Sequence, residues 1–159
     1  GKLKAPPVRF PQGLTVRLKA DAKTFTQRDS IPLTLTFTNT SERNYRLHVP
    51  GTARGWTWTF LSPRLRGYDA LLRFDMEALA AQTRELEAGQ SHDVKMQLKL
   101  GDYRYQPIGS IDGPEHFLLK PGTYVLLGTH RFGGPNDAQD FWTGAISGHT
   151  GMIEIGEAP

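Results

Sequence analysis

The chain has 159 residues, with 19 Lys/Arg against 16 Asp/Glu and no cysteine. That length predicts one domain able to bury about 68–70% of its unfolded surface without staples, and the missing cysteine excludes disulfides, thiolate metal sites and cysteine nucleophiles. The 17 glycines and 11 prolines favour many short strands joined by tight turns, and no apolar run approaches the ~20 residues needed to span a bilayer.

Residues 1–13 hold Pro6, Pro7 and Pro11 and read as an extended arm, because proline fixes φ and removes a backbone donor. Gly1-Lys2-Leu3-Lys4 leads into these prolines with no apolar h-region behind it, so no signal peptide is read there. Val8 and Phe10 are the arm's alternate apolar side chains, suited to adding a strand to the sheet edge of a neighbour. Residues 14–159 form the domain. Its first predicted strand is 14–18, followed by a loop over 20–28. In 33–38, Leu33, Leu35 and Phe37 alternate with Thr34, Thr36 and Thr38, a period of two that sends one row to the core and the other outward. Tyr45, Leu47 and Val49 repeat the pattern up to Pro50-Gly51, and 56–60 repeats it again. Two readings stand for 70–87: a short helix over 75–81, on its Ala, Leu and Glu content, or strand-loop-strand with 71–74 as the strand.

Ala88-Gly89 is a turn signal before 94–100, where Val94, Met96, Leu98 and Leu100 alternate with Lys95, Gln97 and Lys99. Residues 101–120 are expected to be a long loop, a length uncommon unless functional or partly structured. Pro121-Gly122 turns into a strand within 123–132, and a second loop over 133–140 leads to Phe141-Trp142. The last strand lies within 146–155, where Gly148 and Gly151 predict a bulge or tight turn. Seven to eight short strands with turns between them predict an all-β fold, an immunoglobulin-like antiparallel β-sandwich. Leu119-Lys120-Pro121-Gly122-Thr123-Tyr124-Val125-Leu126 looks like the tyrosine corner of that fold, in which the tyrosine hydroxyl bonds a backbone group a few residues upstream. Leu126 then takes the position of an antibody cysteine, with Leu35 as its apolar partner.

Thr38-Asn39-Thr40-Ser41, the Trp-rich strand, Leu86-Glu87-Ala88-Gly89-Gln90 and Pro121-Gly122-Thr123-Tyr124 together resemble bacterial extracytoplasmic immunoglobulin-like domains. More distantly the chain is similar to the BsuPI-type intracellular proteinase inhibitor domain. The similarity covers roughly residues 14–132 and is made of turns, core positions and the corner; Phe141-Trp142-Thr143-Gly144-Ala145-Ile146-Ser147 departs from the inhibitor pattern. What the resemblance implies is a periplasmic, secreted or cell-surface setting, with protease inhibition as an implied alternative for which no reactive-site signature can be placed on this chain.

No recognisable catalytic apparatus accompanies the scaffold. The five histidines (His48, His92, His116, His130 and His149) show no local zinc-ligand pair, and no Gly-x-Ser-x-Gly elbow is present. Asp137 and Asp140 read as loop acids, since that loop lacks the calcium-binding Asp-x-Asp-x-Asp-Gly pattern. There is no phosphate-binding Gly-rich loop. No cofactor, no metal and no enzymatic activity are therefore expected. Arg54-Gly55-Trp56-Thr57-Trp58 with Arg64 and Arg66 is a faint version of a basic, aromatic surface, short of what nucleic-acid binding requires. Trp56 and Trp58 lie two apart and share a face: they are either core, as a strand-C tryptophan normally is, or with Trp142 an aromatic platform for a sugar ring or a partner protein. Asn39-Thr40-Ser41 fits a glycosylation sequon, but its place at a strand end favours a turn role.

Charge is segregated along the chain: residues 1–74 hold 13 Lys/Arg against 4 Asp/Glu, whereas residues 75–159 hold 6 against 12. Either the strands interleave and mix both signs over the surface, or the asymmetry orients the domain against a partner or copies of itself. The threonine-lysine strand faces, the arm and this asymmetry lead to the expectation of a non-catalytic exported module for protein binding or self-assembly. A carbohydrate-binding module using the tryptophans is a further alternative.

Overall fold

The alternation predicted around Leu35 governs how the chain layers itself. Ile31, Leu33, Leu35 and Phe37 are all buried, while Thr34, Thr36 and Thr38 lie toward solvent, because successive side chains of a strand point to opposite faces. The computed structural model describes residues 13–64, 66–74, 81–109, 113–133 and 140–159. Val8, Phe10 and most of the expected arm, together with most of the helix expected over 75–81, lie outside the described residues. Within them run eleven strands: β1 (Leu14–Ala20), β2 (Thr24–Thr26), β3 (Ser30–Asn39), β4 (Tyr45–Val49), β5 (Thr57–Leu61), β6 (Gly67–Leu72), β7 (Gln82–Leu86), β8 (Ser91–Lys99), β9 (Tyr103–Pro107), β10 (Gly122–Phe132) and β11 (Gly144–Gly156).

One sheet has the order β1-β3-β8, a second β2-β11-β10-β5-β6-β9, and a two-stranded ribbon joins β4 to β7. Taking β1, β3, β5, β6, β8, β10 and β11 as A, B, C, C′, E, F and G, the sheets read A-B-E and G-F-C-C′, the strand order of an immunoglobulin-type sandwich. The fold class follows the sequence pattern, with three corrections. There are more strands than seven or eight, because three-residue β2 is too short to alternate, β7 is polar until its last residue, and the alternating Tyr103-Arg104-Tyr105-Gln106 of β9 falls inside the stretch expected to be a loop. The pairing of β2 with β11 is parallel, so the sandwich is not wholly antiparallel. The expected loop over 101–120 contains β9, and its return passes beside that strand, where Tyr105 and His116 exchange two backbone hydrogen bonds of 2.7 and 2.8 Å.

Both inner faces meet in an aromatic core. Trp58, Phe60, Leu126 and Tyr105 are fully enclosed from one sheet and Leu33, Leu35, Phe37 and Leu98 from the other. Leu126 is buried as expected. Leu35 lies with Val16, Leu18, Trp58 and Gly128 along an interlayer gap too narrow for water. Gly128 is required there, since a Cβ would sit 2.5 Å from Trp58 Cζ3.

The predicted irregularity in the last strand is a bulge. Val125 pairs with Met152 but Leu127 pairs with His149, so β11 carries one extra residue. Buried Thr150 compensates: its hydroxyl accepts the Leu126 N–H at 3.1 Å and donates to the Gly151 carbonyl at 2.7 Å. Asn39 plays a similar part at the end of β3. It is 0% exposed, its Nδ2 donates to the carbonyls of Arg43 and Leu86 at 2.7 and 3.0 Å, and its Oδ1 accepts from the Ser41 N–H and hydroxyl. The amide nitrogen that a glycan would need is occupied, so this residue closes a turn.

The tyrosine corner is formed. The Tyr124 hydroxyl donates to the Lys120 carbonyl at 2.7 Å, and its ring meets Phe60 edge-on at 5.9 Å. Burial, with a smaller contribution from Tyr68, pushes the Tyr124 pKa up to about 12, so the donor proton is retained across the physiological range. Tyr124→Phe is expected to lose about 0.5–1.5 kcal/mol of stability, read as a lower urea midpoint at unchanged slope. An unaltered midpoint would show that the corner contributes nothing to the clamp.

Candidate binding site

The residues expected to bind separate into three environments. Trp56, Trp58 and Trp142 are all buried, which overturns the aromatic platform. Trp56 packs at 6.1 Å from Trp58 and 6.2 Å from Phe37, and Trp142 stands 5.8 Å from Phe132. The Trp58 Nε1 donates to the Ala53 carbonyl at 2.7 Å, so even its polar edge turns inward. The physical reason is the one that favours core over platform: two indoles two residues apart share a face, and turning that face inward buries their large apolar area. With them goes the expectation of a sugar bound through tryptophans.

Arg54 is the second case. Its guanidinium meets the Asp102 carboxylate at 3.4 Å, both side chains being 30% exposed, and the pair acts on Tyr103 electrostatically. Burial, reinforced by Asp102 and opposed by Arg54, raises the Tyr103 pKa to about 12. Nearby, the His130 ring sits 5.2 Å from Trp56 and 4.7 Å from Phe132, and its Nδ1 is 2.8 Å from the Gly55 carbonyl. Desolvation there lowers the His130 pKa. Arg54 thus serves the junction between this turn and β9 and does not present itself to a ligand.

Arg64 and Arg66 form the third. Both are exposed and border an open cleft of about 480 Å3 beside the tyrosine corner, with Lys120 on the opposite lip. The structure therefore divides the expected basic-aromatic cluster, with tryptophans inside, Arg54 paired, and Arg64 and Arg66 on a different surface.

A second exposed surface was not signalled by alternation. Phe74 and Phe117 are 63% and 66% exposed, and both rings lie against the guanidinium of Arg73, at 5.5 and 5.0 Å from its Cζ. Two contacts hold Arg73 in place: its backbone N–H donates to the Asp102 carbonyl at 2.9 Å and its Nη1 to the Gly101 carbonyl at 3.3 Å. Phe117 follows directly on His116, which the β9 bridge fixes. The available sequence signal was a phenylalanine in a proline- and glycine-rich loop, where no strand face required it. The outer face of β1-β3-β8 is different in character: Thr36 donates to Asp93 at 2.7 Å and Thr38 shares a 2.7 Å hydrogen bond with Ser91, so its hydroxyls are partly satisfied within the sheet. Among the described residues no three His, Asp or Glu side chains gather as metal ligands.

No family model and no curated protein matches this chain. Among solved structures it is similar to the β-glucosidase EmGH1 from Erythrobacter marinus, at 17% identity and a TM-score of 0.43 over 90% of this chain and 15% of that one. It is also similar to the sporulation control protein Spo0M from Bacillus subtilis, at 10% identity and a TM-score of 0.46 over 92% of this chain and 50% of that one. A third likeness is to the alkylpurine DNA glycosylase AlkC from Pseudomonas fluorescens, at 13% identity and a TM-score of 0.40, covering 91% and 31% of the two chains. This chain thus spans a minor part of the glycosidase and glycosylase chains and half of Spo0M, and no activity is carried over from any of them.

Proposed function

We propose that this domain is a non-catalytic module that binds a protein, either a separate partner or a second copy of itself, through the surface formed by Arg73, Phe74 and Phe117. The observation that carries the reading is the joint exposure of two phenylalanines around one anchored arginine. Water gains nothing by hydrating these rings, and burying two such side chains contributes about 1.5–3 kcal/mol each. Aromatic residues with arginine are the enriched composition at interface centres. Arg73 adds direction, because its stacked guanidinium keeps donors free for a partner's carbonyl or carboxylate. The scaffold resemblance supports an exported setting for such a module.

The test is light scattering of the full chain over a wide concentration range, beside Phe74→Ser/Phe117→Ser. Self-assembly through this surface is expected to give a concentration-dependent mass that the double variant loses. For a separate partner, a photo-crosslinking residue at position 117 in source cells is expected to trap one dominant protein that the same residue at exposed Thr83 does not. A chain that is monomeric throughout, and that crosslinks equally from 117 and 83, would remove the proposal.

A further inference from the structure

The cleft beside the tyrosine corner has a chemistry independent of the phenylalanine surface. It lies at the end of β6 opposite to Phe74. Its basic side chains converge from two loops: Arg64 and Arg66 from the β5–β6 hairpin and Lys120 from the corner. None of the three has an acidic partner among the described residues, whereas Arg46, Arg54 and Arg104 are all ion-paired. Among the described residues no Asp or Glu lines the cleft. Ser62, Tyr68 and Thr123 add three side-chain hydroxyls that have no hydrogen-bond partner among the described residues.

Hydrogen bonds brace both walls. The hairpin is drawn tight by the Ser62 N–H donating to the Arg66 carbonyl and by Gly67, whose φ of 153° and approach to the Phe60 carbonyl exclude any side chain. On the other side the Tyr124 hydroxyl holds the Lys120 carbonyl. The Tyr68 ring is set edge-on between His116 and Tyr124 at 5.9 and 6.3 Å. Pro63, Pro107 and Pro121 supply the apolar lining. At about 480 Å3 the space is many times the ~30 Å3 of a water molecule and too large for one inorganic anion, but within the roughly 300–1,000 Å3 of organic ligand sites.

From this we propose that the cleft binds an acidic, extended peptide segment of a protein partner, whose carboxylates meet Arg64, Arg66 and Lys120 while its backbone runs over the prolines. Charge complementarity selects the occupant: three unpaired cations favour anionic oxygen, the three hydroxyls add further donors, and arginine matches carboxylate bidentately. The separation of the cations over two loops suits carboxylates spaced along a chain. A nucleic-acid strand would require a row of open aromatic faces, and of the two rings lining the cleft, Tyr68 and Tyr124, the second is buried.

Fluorescence anisotropy of a labelled octaglutamate peptide with the full chain tests this. Exposed ion pairs are individually weak, so binding is expected to be modest, saturable at low ionic strength and lost at high salt. Arg64→Ala/Arg66→Ala is expected to weaken it at least tenfold with an unchanged melting midpoint. Lys95→Ala/Lys99→Ala, on the outer face of β8, is expected to leave it intact, and octaserine is expected not to bind. Amide shifts at Gly67, Gly122 and Thr123 should report the bound peptide. The proposal is overturned if octaglutamate does not saturate or if the two double variants weaken it equally. It is also overturned if inorganic phosphate or octathymidylate displaces the peptide at equal charge concentration, since these outcomes would mean a small-anion site or an unspecific polyanion surface.

Discussion

Trp58→Ala is expected to cost about 3–5 kcal/mol, a large share of the ~5–15 kcal/mol that stabilises a domain of this kind. The indole is 0% exposed and sits on β5 at the register position of Gly128 on β10. Its truncation opens a cavity that the neighbours cannot refill, because Gly128 has no side chain to move in and the adjoining gap already borders Leu35 and Val16. A second loss is polar. The Ala53 carbonyl, which accepts the indole N–H at 2.7 Å and also the Trp56 N–H at 3.1 Å, gives up one of its two partners. Trp58→Phe keeps much of the apolar volume and removes the hydrogen bond, so its cost is expected to fall well below that of the alanine variant. Urea titration of both variants checks this. A cost below about 1 kcal/mol for Trp58→Ala would contradict a core position and return the residue to the surface.

The legibility of this protein from its amino acids follows from which physical terms are local. The row Leu33, Leu35, Phe37 against Thr34, Thr36, Thr38 announced β3 because period-two burial is written into consecutive residues. The corner was equally legible, since Pro121-Gly122 and Tyr124 set a turn and a hydroxyl within reach of Lys120. By contrast, the parallel pairing of Thr24–Thr26 with β11 depends on an edge supplied more than a hundred residues later. The pairing of β4 with β7 is similarly remote: Leu47 announces one strand, but its register partner Arg84 lies in a stretch with four exposed residues out of five. The binding residues divide along the same line. Arg64 and Arg66 stood out as a basic pair, yet Lys120 joins them only through the packing of the corner against the β5–β6 hairpin. Arg54 looked free for the converse reason, because its acid, Asp102, is 48 residues away. Trp56 and Trp58 were legible as sharing a face, and burial decided which face.

Leu35→Ala is expected to lose about 2–5 kcal/mol, whereas Thr36→Ala, one residue on, is expected to change stability by about 0.5 kcal/mol or less. The contrast tests the register of the central strand directly. Leu35 pairs with Leu18 of β1 and Val94 of β8 and faces the indole of Trp58 across the layer gap, so its truncation enlarges a void already too tight for water. Thr36 pairs with Arg17 and Asp93 on the outer face, and its 2.7 Å hydrogen bond to Asp93 is exposed, where water replaces the lost partner at little cost. A one-residue slip of β3 would exchange these roles for every side chain at once, placing Thr34, Thr36 and Thr38 against the tryptophans with their hydroxyls unsatisfied. Denaturant titration of the two variants in parallel separates the cases: a Thr36→Ala cost equal to or above that of Leu35→Ala would mean that the register is displaced. Because β8 takes its position from β3, the same result would also invert the outward row of Lys95 and Lys99 that serves as the charge control for the acidic-peptide cleft.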